Sequence, residues 1–510
     1  MPRPSHPSLL TSYLLLITLF SFLLFFSACT TPVSSPTPHG STITPVPSGT
    51  LTPTPFLLAS EMPLASPTAN PLPTPPRPQY MLYAVFDFDV HYLTVEQTIL
   101  YPNQTGESLT SVLLAVEPNY WPGCFVLDSL IVNGQPSTAH TLDGQRLEIA
   151  LPQSLAPGAT FSLGFKYQLF LPPIDLDRDP NFVRPQIFGY TARQTNLVHW
   201  YPFIVPYVLG QGWLLYEPWA YGEHLVYDVA DFEVNLRFTD PVSAPVVAAS
   251  GPAERNGEWM RYRLENGRTF ALSASREYQV SSQTAGSVTV YSYYYPFFEY
   301  AGKAVLQASA QAVQIYSERF GPYPHTILNA IQADFADGME YSGLYFLSHD
   351  FYNQYNYTPQ NYLTIITVHE TAHQWWFELV ASDQTLEPWL DEALCTYSEH
   401  VFYEQAYPDL LGWWWGYRVD FYQPTGWVDV RVDAAGGYEP YRQAVYLRGA
   451  KFLEALRLRV GDKAFFAFMK DYATQYAFRR ATADDFFALL RQHTSVDFSD
   501  IVQQYLRNPH

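Results

Sequence analysis

Residues 369–392 read HETAHQWWFELVASDQTLEPWLDE, and the fold of the chain turns on whether this stretch forms two helices joined by a short connection. His369-Glu370-Thr371-Ala372-His373 has the spacing H-E-x-x-H. On a helix that spacing sets two imidazoles one turn apart on a single face, near enough to share one metal ion. The five residues before it, Thr364-Ile365-Ile366-Thr367-Val368, are all β-branched, and propensity alone favours a strand there. Thr358-Pro359 argues the other way, as an N-cap followed by proline at the first helical position, launching a helix through Leu363 and His369 toward Trp376. Burial overrides a weak propensity, so a helix is expected. Alone, the five-residue motif fits a solvated surface helix as well as a metal site, and the surroundings must decide.

Eighteen residues separate His373 from Glu392, which lies in EPWLDEALCTYSEHVFYE; Leu390, Ala393, Leu394 and Tyr397 predict a second amphipathic helix there. His369, His373 and Glu392 make three ligands for a tetrahedral zinc and leave its fourth position to water, which marks a catalytic site rather than a closed structural one. Such a metal lowers the pKa of its water to about 7. Glu370 then stands where it can take the proton and pass it to a leaving amine. The ligand types favour zinc, one ion per chain.

Three further stretches join these. Asp337-Gly338-Met339-Glu340-Tyr341 lies upstream, Trp389-Leu390-Asp391-Glu392-Ala393 surrounds the third ligand, and Tyr446-Leu447-Arg448-Gly449-Ala450 follows. With H-E-x-x-H they resemble, in order, the motifs of the gluzincin aminopeptidases, the family of aminopeptidase N and the leukotriene hydrolase: G-x-M-E-N, W-L-N-E-G and Y-x-K-G-A. The resemblance implies a catalytic domain of the thermolysin-like kind, mainly helical, behind an N-terminal β domain. It implies that Glu340, flanked by Gly338 and Met339, binds the substrate's α-amine, and that the Tyr446 hydroxyl stabilises the tetrahedral oxyanion, a role worth about a hundredfold in rate. FGPYPHTIL, from Phe320, looks like the family's lead-in to the catalytic domain, so the likeness covers nearly all of Tyr80 to His510.

There are departures too. Tyr341 replaces the motif's asparagine, Asp337 precedes Gly338, and Phe377-Glu378 stands where Gly-Asn commonly follows the zinc helix. These bear on recognition of the substrate's end rather than on the chemistry. The chain stops 64 residues after Tyr446, and a cleft more open than in longer members is expected.

Outward from this centre, Lys303 to Gly321 has Ala304, Ala308, Ala312 and Tyr316 at helical spacing. AKFLEALRLRV and ATADDFFALLRQH follow as helices, Thr482 capping the latter with Asp484 and Asp485 in its first turn. Between Tyr80 and about Gln283 the text alternates in strand fashion, as in AVFDFDVHYLTVEQTILYP and TFSLGFKYQLFLP, with turns at Asn133-Gly134 and Pro157-Gly158. An antiparallel β domain over residues 80–285 and a zinc peptidase domain over 286–510 are expected.

The N-terminus is different. After Arg3 no charge interrupts Leu9 to Phe26, and Phe26-Ser27-Ala28-Cys29 resembles a bacterial lipoprotein processing site, which makes residues 1–29 a signal peptide ending in a lipidated Cys29. An uncleaved transmembrane anchor is the alternative, since about 18 apolar residues span a bilayer. Either arrangement sets the body on the outer face of the membrane. Residues 30–79 hold 14 of the 42 prolines and read as an extended stalk. Cys124 and Cys395, far apart in sequence, read as packing residues. The formal charge of −20 argues against nucleic acid as a partner; nothing in the sequence fixes an oligomeric state.

The leading expectation is therefore a zinc aminopeptidase acting on extracellular peptides. The competing readings are a zinc endopeptidase or a hydrolase of another substrate, and a surface-binding module that has lost activity. His325, His349 and His400 are expected to be structural, most of the Trp413-Trp414-Trp415 run to be core, and Arg442 or Arg448 to be available to a substrate carboxylate.

Overall fold

The computed structural model describes residues 76–176 and 184–508. The signal segment, Cys29 and most of the stalk lie outside the described residues. No helix among the described residues is long and apolar enough to cross a membrane.

The N-terminal part is built of strands whose side chains alternate. In Gln79–Asp87, Tyr80, Leu82, Ala84 and Phe86 are buried while the residues between them face outward. An eight-stranded sheet runs in the order Ala253–Asn256, Trp259–Gly267, Ala230–Phe238, Gln79–Asp87, Tyr92–Pro102, Thr160–Phe170, Phe125–Val132, Gln135–Pro136. The last two strands turn at Asn133 (φ 49°) and Gly134 (φ 77°), the paired left-handed conformation that a two-residue hairpin demands. The pairing is antiparallel as expected, with one exception at the centre, where Gln79–Asp87 lies parallel to Ala230–Phe238. More than a hundred residues of chain separate that pair, so no hairpin dictates their direction.

A second sheet, of five strands, carries the site. Its order is Gln279–Ala285, Val288–Tyr294, Ile327–Ala333, Leu344–Ser348, Gly338–Tyr341, which puts the strand bearing Glu340 at an edge. It begins at Gln279, so the sheet straddles the change of composition near residue 286. Helix Glu299–Phe320 forms the crossover between the parallel strands Val288–Tyr294 and Ile327–Ala333. Its buried face includes Ala301, Val305, Ala308, Ala312 and Tyr316. The Tyr316 hydroxyl shares its one proton between the carbonyls of Val368 (3.1 Å) and Ser398 (2.9 Å), one on each of the two helices predicted to bear metal ligands.

One buried apolar cluster runs from Tyr80 to Leu506 through both parts of the fold. Arg268, at the end of a strand of the first sheet, is buried among four carbonyl oxygens, those of Tyr227, Glu378, Leu379 and Arg479. Cys124 and Cys395 are both buried and unpaired, in keeping with packing roles.

Candidate active site

The residues 364–368 do lie in a helix, Tyr362–His373. All five are buried, so tertiary packing outweighs the strand propensity of the β-branched run. The helix starts three residues later than Thr358-Pro359 suggested: Asn361 is the N-cap, its side chain accepting from the Thr364 N–H at 2.9 Å. Beyond His373 the backbone winds more widely, as a π-type turn over Gln374–Leu379, before the second helix, Trp389–Ala406.

His369 and His373 present their rings side by side, centroids 4.9 Å apart. Both Nε2 atoms converge on one carboxylate oxygen, Glu392 Oε2, at 3.2 Å from His369 and 3.7 Å from His373. Ligand atoms about 2.0–2.1 Å from a tetrahedral zinc stand about 3.3 Å from one another, so the three residues fit that ion. The far side of each imidazole is held as well. His369 Nδ1 lies 2.8 Å from Glu399 Oε1, and His373 Nδ1 lies 2.7 Å from Asp391 Oδ1. A proton on each Nδ1 leaves the Nε2 lone pairs facing the metal position. Glu399 is itself clamped by Arg418 (2.9 Å) and by Trp414 Nε1 (3.1 Å).

Glu370 offers a second carboxylate, since one of its oxygens lies within 4.8 Å of both histidines' nitrogens. Its surroundings give it another part. Oε2 is buried without a hydrogen-bond partner, and Oε1 fills the space over Gly338, where an added Cβ would come within 2.2 Å of it. Gly338 is thus required by close approach, and Glu370 is left with an oxygen free to accept a proton.

Glu340 sits across the cleft, buried, with Oε2 4.0 Å from His373 Nε2 and Oε1 accepting from Gln384 Nε2 at 3.3 Å. Met339 lines the cleft beside it, while Tyr341 is buried with its ring against His199 and Phe346. Tyr446 stands beside His369, on a second π-type stretch, Arg442–Leu447, its ring nearly parallel to that of His369 (12°, centroids 5.9 Å).

Charge immediately around the two histidines is mostly negative. Burial pushes Glu340, Glu370 and Asp391 well above the usual carboxylate range, and Asp337 up to about 6. Burial alone would lower the His369 imidazole, but Glu392 and Glu399 outweigh it and hold it up to about 10. Glu392 is pulled the other way: burial would raise it, and the two histidines bring it below its ordinary value. Burial and the neighbouring Glu392 push the Tyr446 phenol up, so it keeps its proton. A buried group of five carboxylates beside two histidines suits a divalent cation, which lowers the energy of every one of them.

Sequence reading missed several cleft residues. Glu399 follows Glu392 by seven positions, two turns on the same helix face, and that periodicity was the available signal. Arg184 and Glu223, paired at 2.7 Å, reach the cleft from the strand-rich part and carry no motif. Of the two arginines considered, Arg442 lines the cleft, paired with Glu439, whereas Arg448 donates to the carbonyls of Gly426 and Gln504. His325 pairs with Glu378, whose other oxygen accepts from Ser342 just after the edge strand, so Glu378 ties the end of the motif helix to that strand. His349 meets Arg193 and Gln332, and His400 stacks on Tyr397. Trp414 is fully buried.

Residues 305–505 match the peptidase family M1 domain. That match takes in His369, Glu370, His373, Glu392 and Tyr446. The chain is similar to aminopeptidase M1 of Arabidopsis thaliana, 28% identical over 204 residues, which are 37% of this chain and 23% of that protein. Aminopeptidase N of Lactobacillus helveticus is 26% identical over 227 residues, 40% of this chain and 26% of that one. The match thus spans about a quarter of those relatives' length. The fold extends further: the M1 zinc metallopeptidase of Deinococcus radiodurans superposes with a TM-score of 0.61 at 19% identity, over 85% of this chain and 93% of that one. A mutant of that protein bound to a Tyr-Ser-Ala substrate gives 0.60 at 20% identity, over 85% and 94%. A β-rich part followed by a helical part is therefore the architecture of two-domain M1 metallopeptidases.

Proposed function

We propose that the chain is a zinc-dependent aminopeptidase that removes N-terminal residues from extracellular peptides. The observation that carries this reading is the convergence of both Nε2 atoms on Glu392 Oε2, at 3.2 and 3.7 Å, with a buried glutamate, Glu340, 4.0 Å from one of them. His369, His373 and Glu392 hold one zinc ion, which when bound supplies the charge that acidifies water and polarises the scissile carbonyl. Glu340 accepts the α-ammonium of the substrate and so registers the first peptide bond over the metal position. Glu370, with Oε2 free, takes the proton of the attacking water and returns it to the leaving amine. Tyr446, protonated beside His369, donates to the oxyanion as it develops. Asp391 and Glu399 keep the two imidazoles oriented throughout.

The body would work outside a bacterial membrane, tethered through a lipidated Cys29 by a Pro-rich stalk. Fatty-acid labelling of intact cells tests this: label lost in a Cys29→Ser chain supports the lipid anchor, and a wild-type chain that takes up no label refutes it and leaves the transmembrane alternative.

The enzymatic test is hydrolysis of one peptide series with free and with acetylated N-termini, with and without a chelator. Chelator-sensitive cleavage restricted to free N-termini supports an aminopeptidase. Cleavage of both series points to an endopeptidase, and no cleavage by folded, zinc-loaded protein refutes the enzymatic reading.

A further inference from the structure

Gln384 belongs to none of the motifs, yet it sits at the junction of the amine site and the metal site. It lies on the connection 382–388 that leads into the second ligand helix, and it is buried. Its Nε2 stands 2.7 Å from Asp391 Oδ2 and 3.3 Å from Glu340 Oε1. An amide nitrogen carries two protons, and an ionised carboxylate only accepts. Turning the amide over would set its oxygen against two carboxylates with no proton between, so the orientation is dictated by its partners.

The remaining oxygens complete a chain of contacts. Asp391 Oδ1 meets His373 Nδ1 at 2.7 Å, and Glu340 Oε2 faces the cleft 4.0 Å from His373 Nε2. The family motif W-L-N-E-G has asparagine where this chain has Asp391. An asparagine brings its own donor, whereas the second oxygen of an aspartate calls for a donor from elsewhere. Gln384 supplies one proton there and spends the other on Glu340. Were both protons withdrawn, Glu340 Oε1 would lose the donor that holds it and would swing away from the Asp391–His373 pair. There it stops accepting an ammonium in register with the metal position.

We propose that Gln384 is the positioning residue behind the requirement for a free α-amine: a two-proton bridge that holds Glu340 against the Asp391–His373 pair. This rests on the aminopeptidase reading, and the test separates the two. Calorimetry on the zinc-loaded full chain compares leucine hydroxamate with its desamino analogue, which binds metal equally but lacks the amine. The wild-type protein prefers the amine. Gln384→Met keeps the length of the side chain without its protons; it should cut that preference about tenfold, the worth of one hydrogen bond to a charged group, and leave the desamino analogue within about twofold. In a Glu340→Ala background the same change should leave the preference unaltered, an outcome a merely structural role does not give. A thermal melt checks folding, and if Gln384→Met does not fold, Gln384→Asn, which draws the amide back by one methylene, reads the same ratio. A wild-type preference retained by the variant, or an equal loss for both hydroxamates, overturns the assignment of Gln384. Absence of any preference in the wild-type protein overturns the aminopeptidase reading itself, and this inference with it.

Discussion

Gly338→Ala puts one methyl group where the carboxylate of Glu370 now lies. The new Cβ would be 2.2 Å from Oε1 and 2.7 Å from Cδ, whereas ordinary contact begins at 3.4 Å. The backbone at Gly338 is held from both sides, by strand pairing to Leu347 and by the Asp337 carboxylate on its N–H at 2.9 Å. Glu370 must therefore give way, by about 1 Å, and a misplacement of that size costs about 100-fold in rate. The three atoms nearest the new methyl, within 3.2 Å, all belong to Glu370, so zinc content should stay at one per chain. The assay is kcat/KM on a free-amine peptide, alongside zinc analysis and a thermal melt. The expected result is a fall of about 100-fold carried by kcat, approaching the loss for Glu370→Gln, which removes a general base worth about 10²–10⁴. A Gly338→Ala protein with full zinc and activity within threefold of the original would refute the placement of the general base under this strand.

Tyr446→Phe should lower kcat by about 10²–10³ with KM little changed, because the hydroxyl acts on charge that develops only in the transition state; an effect confined to KM would refute that role. Glu399→Gln removes the charge behind His369 and should weaken zinc binding about 10–100-fold in competition with a chelator, whereas unchanged zinc affinity would show the Arg418–Glu399 pair to be merely structural. His224 is buried, neither ring nitrogen has a hydrogen-bond partner, and burial holds its pKa down to about 3. The unfolded chain takes a proton there below about 6.5 and the folded chain only near 3, so stability falls with pH across that window, by up to about 1.4 kcal/mol per unit. His224→Leu should flatten this acid limb in denaturant melts from pH 7 to 4, and an unchanged slope would refute the assignment.

The centre of this molecule was legible because its chemistry is local in sequence. Histidines four apart share a helix face wherever the helix goes, and Glu392 could be placed once the second helix was recognised. The start of the first helix was misjudged because Thr358-Pro359 and Asn361 both carry cap chemistry, and only packing chooses between them. The parallel pairing of Gln79–Asp87 with Ala230–Phe238 leaves no mark on either strand, since alternation records which face is buried and not the direction of a neighbour. Gln384, Arg184 and Glu223 escaped for the same reason: each gains its meaning from a partner far off in the chain. Tyr341 and Glu378 looked like departures that would disturb recognition. One is a buried ring behind the edge strand, and the other fastens that strand to the motif helix.

The Tyr316 phenol bonds the carbonyl of Val368, the residue before His369, and that of Ser398, the residue before Glu399. It behaves as a caliper. A slide of one helix past the other by even a fraction of a turn would carry one of the two carbonyls out of reach of the buried hydroxyl. The spacing between the histidine pair and the acidic pair is therefore gauged by a side chain that is itself no metal ligand.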